Sequence, residues 1–157
     1  MNKTNAMRLL DKAGIKYECL EYEVDENDLS GIHIAQQVGL PCEMMFKTLT
    51  ARGDKNGINV FCVPVNCEID LKKAAAVSNN KRVELLSVKE LLPATGYIRG
   101  GCSPIGMKKK FPTYIDETAT IIDEIAISAG MVGEQIILSP DDLAKAVNAE
   151  FCDLTRN

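Results

Sequence analysis

A lysine on an apolar strand and a loop of three glycines are the residues of this chain best suited to chemistry. Lys47 stands in the run Met44-Met45-Phe46-Lys47-Thr48-Leu49-Thr50-Ala51. Strand side chains alternate between faces, so Met45, Lys47, Leu49 and Ala51 share one face and Phe46, Thr48 and Thr50 the other. Lys47 therefore has apolar neighbours. A buried ammonium without a partner is costly; it shifts its pKa, finds an anion or faces a cleft. On an edge strand the same lysine would carry its head to water along its own stem. The pattern leaves both open.

The second feature is Gly100-Gly101-Cys102-Ser103-Pro104-Ile105-Gly106. Its glycines permit backbone angles closed to other residues and let a ligand approach the main chain. Peptide N–H groups in such a loop suit a carbonyl or phosphate oxygen, although a tight loop without a ligand fits the same residues. Neither phosphate-loop pattern is present: there is no Gly-Lys-Ser/Thr ending and no G-x-G-x-x-G. A third segment, Ser128-Ala129-Gly130 followed by Gly133, either turns a hairpin or walls the same cleft.

Nucleophilic catalysis by the protein is poorly supported. A cysteine mechanism needs a base, usually a histidine. The single histidine, His33, falls in a helical segment as an ordinary partly buried residue. Ser103 and Ser128 have no evident base, and the acidic run Glu23, Asp25, Glu26, Asp28 reads as a solvated loop. Cys62 and Cys67 resemble half of a metal knuckle, but no second pair completes it. No metal and no cofactor are expected.

These residues need elements to hold them. Thr4 caps a helix with apolar Ala6, Leu9, Leu10 and Ala13, stopped by Gly14. Lys16 to Val24 reads as a strand, and Ser30 caps a helix over 31–38 ended by Gly39 and Pro41. Met44 to Arg52 and Ile58 to Val65 form a hairpin around Gly53-Asp54-Lys55-Asn56-Gly57. Asp70 caps a helix from Leu71 to Val77. Ser87 and Glu90 have capping-box spacing, which predicts a helix from Val88 to Leu92 before Pro93. Tyr97 to Arg99, Thr113 to Asp116, Glu124 to Ser128 and Glu134 to Leu138 are strand candidates. Ser139-Pro140-Asp141-Asp142 starts a helix running to Val147, and Glu150 to Asp153 adds an edge strand. Interleaved helices and strands with an antiparallel hairpin imply a mixed α/β domain.

Composition sets the outer limits. The chain has 157 residues, 46% apolar and 25% charged, which fits one globular domain over 1–157 with a core of its own. No window reaches the length of a membrane span, and no apolar leader precedes the first helix. The six scattered cysteines read as reduced thiols, so the expected location is cytoplasmic. A net charge of −4 argues against nucleic-acid binding through a global positive field. It leaves room for a local patch at Lys108-Lys109-Lys110, Lys72-Lys73 or Lys81-Arg82, each of which also reads as ordinary solvated surface.

Phe46-Lys47-Thr48-Leu49, the run Gly96-Tyr97-Ile98-Arg99 leading into the glycine loop, and Ser128-Ala129-Gly130 resemble the YbaK/EbsC family of aminoacyl-tRNA deacylases. Asp70-Leu71-Lys72-Lys73 and Ser139-Pro140-Asp141-Asp142-Leu143 fall in the same order, so the resemblance covers nearly the whole chain. It implies a single α/β domain with a mixed, mostly antiparallel, partly barrel-like sheet flanked by helices, as in the editing domain of prolyl-tRNA synthetases. It implies an enzyme that removes cysteine from mischarged tRNA(Pro), the substrate thiol attacking its own ester so that no protein nucleophile is needed. Small side chains of similar size are hard to separate by binding alone, which is why such editing exists.

Carried onto this chain, the resemblance makes Lys47 orient the terminal adenosine or the aminoacyl group. The Gly100-Gly101 backbone would lie near the ester carbonyl as an oxyanion hole does. Thr48, Cys102, Ser103 and Pro104 complete those two motifs, Ser128 and Gly130 form a second wall, and Tyr22 packs against base or sugar. Gln135 stands where relatives often have an aspartate. The implied partners are aminoacyl-tRNA and prolyl-tRNA synthetase, with Lys108 to Lys110 near the acceptor end and no DNA or membrane partner. A deacylase preferring alanine or serine, and a non-catalytic regulatory binding protein, are the alternatives.

Overall fold

The computed structural model describes residues 3–25 and 27–156. Short polar caps begin its helices where the sequence places them. Thr4 Oγ1 accepts the N–H of Met7 at the start of α1 (Asn5–Lys12). Ser30 does the same for His33 in α2 (Gly31–Val38), and Asp70 receives two N–H groups in α3 (Leu71–Val77). The Ser87–Glu90 capping box opens α4 (Val88–Thr95), and Ser139 caps α5 (Pro140–Val147).

The strands form two sheets. Strands β1 (Glu18–Glu21), β6 (Ile125–Ser128) and β7 (Glu134–Leu138) make an antiparallel sheet in the order β1-β7-β6. Strands β2 (Phe46–Gly53), β3 (Gly57–Pro64), β4 (Val83–Leu85), β5 (Thr113–Asp116) and β8 (Glu150–Cys152) make the second, in the order β4-β2-β3-β5-β8. In it the β2–β3 and β2–β4 pairs are antiparallel, and β3–β5 and β5–β8 are parallel. A parallel bridge between Met45 and Ala126 joins the two sheets without closing them into a barrel. The expected mixed, mostly antiparallel α/β domain flanked by helices is what is found.

Three apolar clusters hold these layers. The first lies under α1 and α5 and includes Met7, Leu10, Phe46, Cys62, Ile115, Ile127, Ile136 and Leu143. The second lies on the opposite face of the five-stranded sheet beneath α3, where Phe61 stacks on Tyr114 with ring centroids 5.5 Å apart. The third lies beneath α2 and joins Ile34 and Ala35 to Met45, Val65, Ala126 and Ile137. There α2 comes very close to the sheet, because a Cβ on Gly31 would sit 2.2 Å from Val65 Cγ1. Only glycine fits that contact.

Some sequence expectations are corrected. Helix α4 runs through Pro93 to Thr95 instead of stopping at Leu92. The proline forfeits the bond to the Lys89 carbonyl. The last turn is held by Thr95 Oγ1 donating to Leu91 O (2.7 Å) and Gly96 N–H donating to Leu92 O (2.9 Å). Tyr97 to Arg99 is not a strand; it leads into a tight turn. The first strand covers only Glu18–Glu21, the residues paired with β7. Strand β4 and a 3-10 turn at Glu117–Ile121 were not expected.

Candidate functional site

The face of Lys47 decides which residues form a site. Met45 and Ala126 are bridged in parallel, so they point to the same side of their strands. Two residues on, Lys47 and Ser128 face that side too. Ser128 pairs with Gln135, Gln135 pairs with Leu20, and Tyr22 follows Leu20 on the same face. Lys47, Ser128, Gln135 and Tyr22 thus come from four strands or strand ends onto the face that α2 partly covers.

Most of their polar groups lack a partner among the described residues. Lys47 is half-buried, and no carboxylate among the described residues pairs with it. Gln135 is 5% exposed, yet its Oε1 has no hydrogen-bond partner, and neither does the buried hydroxyl of Tyr22. Leaving such atoms unpaired is costly, of order 1–3 kcal/mol each, unless a ligand or water completes them. Ser128 Oγ accepts the N–H of Gly130 (3.2 Å), which leaves its own proton free to donate. Glu134 Oε2 is also without a partner, but alternation puts Glu134 on the opposite face from Gln135.

Three backbone segments border this face. Gly101 packs against the turn after β6: a Cβ there would lie 3.0 Å from Val132 N and 3.2 Å from Met131 Cα. Gly100 adopts φ 87°, beside Val132 and Leu29. Tyr22 N–H donates to Gly133 O at 2.9 Å. Tyr97 is the wedge that the sequence did not single out. Its ring lies against Gly130, where a Cβ would be 3.1 Å from Cε1, and its hydroxyl donates to Ile105 O and crowds Gly106. Thr4 Oγ1, the cap of α1, donates to Ala129 O at 2.7 Å and ties the helix to the same turn.

The loop does not offer every N–H expected of it. Gly101 N–H donates to Ile98 O at 3.0 Å, closing a turn that needs the positive φ of Gly100. Among the described residues, the N–H groups of Gly100 and Cys102 donate to no protein acceptor. The Gly101 N–H is therefore already used within the loop, and Gly101 packs closely against the 131–132 turn. Ser103 is fully buried, its Oγ accepting Ile105 N–H at 3.2 Å, and Pro104 is buried beside it; both shape the loop.

Thr48 does not join the site. Its Oγ1 lies 3.9 Å from Cys62 Sγ, on the face opposite Lys47. Burial alone pushes the Cys102 thiol up to about 12, and Cys102 in turn adds to the raised values of Cys62 and Tyr97. Cys102 is a protonated thiol at neutral pH. Cys67 lies on the Lys47 side: burial raises its thiol, Asp116 adds to that and the Lys47 ammonium opposes it. His33 lies 3.9 Å from Asp25 and 3.8 Å from Asp28 in partly exposed pairs. Glu23, Asp25 and Asp28 are exposed, as expected of a solvated loop; Glu26 lies outside the described residues. Among the described residues no group of three or more His, Cys, Asp or Glu is placed to hold a metal ion, and no helix is long and apolar enough to cross a membrane.

The other lysine pairs have structural work. Lys73 Nζ binds Asp153 (2.9 Å) and Thr155 O (2.7 Å), and the backbone of Lys81 and Arg82 binds Asp54.

A profile of the aminoacyl-tRNA editing domain matches residues 32–146, which contain Lys47, the glycine loop, Ser128 and Gln135. The chain is 46% identical over 153 residues to a protein of Enterococcus faecalis, EbsC, named as a candidate Cys-tRNA(Pro)/Cys-tRNA(Cys) deacylase; the match covers 98% of this chain and 93% of that one. Among solved structures, a candidate trans-editing enzyme for prolyl tRNA synthetase superposes with a TM-score of 0.84 at 23% identity, covering 99% of this chain and 100% of the other. A hypothetical protein, APE2540, superposes with a TM-score of 0.85 at 17% identity over 95% and 97% of the two chains. These two likenesses establish the fold.

Proposed function

Because the chain belongs to the aminoacyl-tRNA editing domain family, we propose that it is a deacylase that removes cysteine from mischarged tRNA(Pro). One observation carries this reading. The face shared by Lys47, Ser128, Gln135 and Tyr22 holds unpartnered polar groups but no activated nucleophile. It suits positioning an ester, not attacking it.

In the proposed reaction the substrate supplies the nucleophile. The sulfur of the esterified cysteine attacks its own carbonyl carbon, a C–S bond forms and the C–O bond to the ribose breaks. The thiol proton passes through solvent to the leaving ribose oxygen, so the products are a cyclic thiolactone and free tRNA. Lys47 orients the aminoacyl-adenosine end. The N–H groups of Gly100 and Cys102 are available to the oxygen that gains charge, where preorganised donors are worth several kcal/mol of barrier. Tyr22 hydroxyl and Gln135 Oε1 are left for a sugar hydroxyl or the substrate ammonium, and Ser128 with Gly130 walls the pocket. The protein carries −4 overall, so it holds free tRNA weakly and prolyl-tRNA synthetase presents the substrate.

A deacylase preferring alanine or serine is the second reading, and a substrate lacking a thiol separates the two. The test is a deacylation panel on tRNA(Pro) charged with cysteine, alanine, serine and proline. Release of cysteine alone, with thiolactone detected, is the expected result. Fast release of alanine would eliminate obligatory thiol attack.

A further inference from the structure

Lys108, Lys109 and Lys110 are consecutive in the chain, and the fold separates them. Lys108 lays its stem over Gly96, where a Cβ would be 3.3 Å from Lys108 Cγ. Its ammonium faces Pro93 O at 3.4 Å, and its N–H donates to Thr95 O at 3.0 Å. It caps the carbonyl end of α4, where a cation is favoured.

Lys109 and Lys110 instead line a groove of about 790 Å³ between segment 104–114 and helices α1 and α5. Lys145 of α5 lines it as well, and Met107 and Phe111 give it apolar surface. Glu150 is the carboxylate in its lining, so the groove carries an excess of positive charge on a net acidic chain. All three lysines are exposed, and Phe111 is half-buried.

We propose that this groove is a track for single-stranded RNA, with phosphodiester groups against Lys109, Lys110 and Lys145 and a base or ribose against Phe111. The proposal rests on the deacylase reading, which makes an RNA 3′ end the substrate. Cations beside an aromatic surface are the usual means of holding a single strand without reading its sequence. The groove is linked to the site wall through Tyr97. Gly106 borders the groove and packs on the hydroxyl of Tyr97, whose ring packs on Gly130 of the site wall. A second class of partner, an acidic protein surface, would use the same lysines and is an outcome of the test.

The probe is a short fluorescently labelled single-stranded RNA ending in CCA, with anisotropy read over a range of salt concentrations on the intact protein. Three phosphate contacts on a single strand predict a log–log salt slope of about −2. K109Q/K110Q should flatten that slope by about 1.4 and K145Q by about 0.7, both weakening binding. K108Q should leave it unchanged. Each variant should keep the wild-type Tm, since the changes are at the surface. Wild-type affinity and slope in both K109Q/K110Q and K145Q overturn the groove, as does loss of synthetase binding with RNA binding intact. Failure of the wild-type protein to deacylate any charged tRNA would instead overturn the deacylase reading; the anisotropy data still decide the groove.

Discussion

Cys102 offers a direct test of whether the protein or the substrate supplies the nucleophile. It stands in the glycine loop, where a reactive thiol would be well placed. Burial raises its pKa from 9.0 to about 12. Each unit is a factor of ten, so the thiolate population falls roughly 1,000-fold at every pH below 9. At pH 8 an ordinary thiol of this kind is about one-tenth ionised, whereas Cys102 is ionised in roughly one molecule in 10,000. Alkylation by iodoacetamide follows the thiolate. Because a higher-pKa thiolate is also a better nucleophile, peptide-resolved mass spectrometry on the native protein should find Cys102 modified at least about 30-fold more slowly than free cysteine at pH 8. Its rate should keep rising through pH 10, because a raised pKa keeps the thiol protonated until the pH approaches 12. Cys102→Ala leaves the backbone N–H in place and should change kcat/KM by less than about threefold, or ~0.6 kcal/mol. A rate that levels off near pH 7, together with a variant that loses activity 1,000-fold or so, would make Cys102 a nucleophile and refute the substrate-thiol reaction.

Lys47→Ala should lower kcat/KM for Cys-tRNA(Pro) at least ~10-fold, about 1.4 kcal/mol of transition-state binding, with little change in Tm; wild-type activity would remove Lys47 from the reaction. Gly101→Ala places a Cβ 3.0 Å from Val132 N and 3.2 Å from Met131 Cα, backbone atoms that cannot rotate away. It should destabilise the fold by about 1–3 kcal/mol in urea unfolding and slow deacylation. Unchanged stability would mean that the loop is not seated on the 131–132 turn.

The helix starts were legible in the sequence because their hydrogen bonds are local. Thr4, Ser30, Asp70, Ser87 and Ser139 each receive an N–H from a residue no more than three positions on, so side-chain type and spacing suffice to place them. The β2–β3 hairpin was legible for the same reason, its strands meeting at Gly53 and Gly57 across a short polar loop. Alternation along β2 also separated Lys47 from Thr48. Strand β4 was not legible: three residues carry too little periodicity, and it exists because β2 offers an edge.

For the candidate site, the sequence alone determined which residue types were present, the lysine, the glycine loop and the Ser-Ala-Gly turn, and that no histidine stood ready as a base. Tertiary structure decided which of them meet. The Met45–Ala126 bridge joins strands distant in sequence and turns Lys47 toward Ser128 and Gln135, while Thr48 is left facing Cys62. The turn at Ile98 consumes the Gly101 N–H, and Tyr97 locks the loop to Gly130. The fold likewise takes Lys108 away from Lys109 and Lys110. A cap or a turn is set by atoms a few bonds apart. The direction of a side chain into a cleft, and whether a peptide N–H is already spent, depend on groups that only the packed chain brings together.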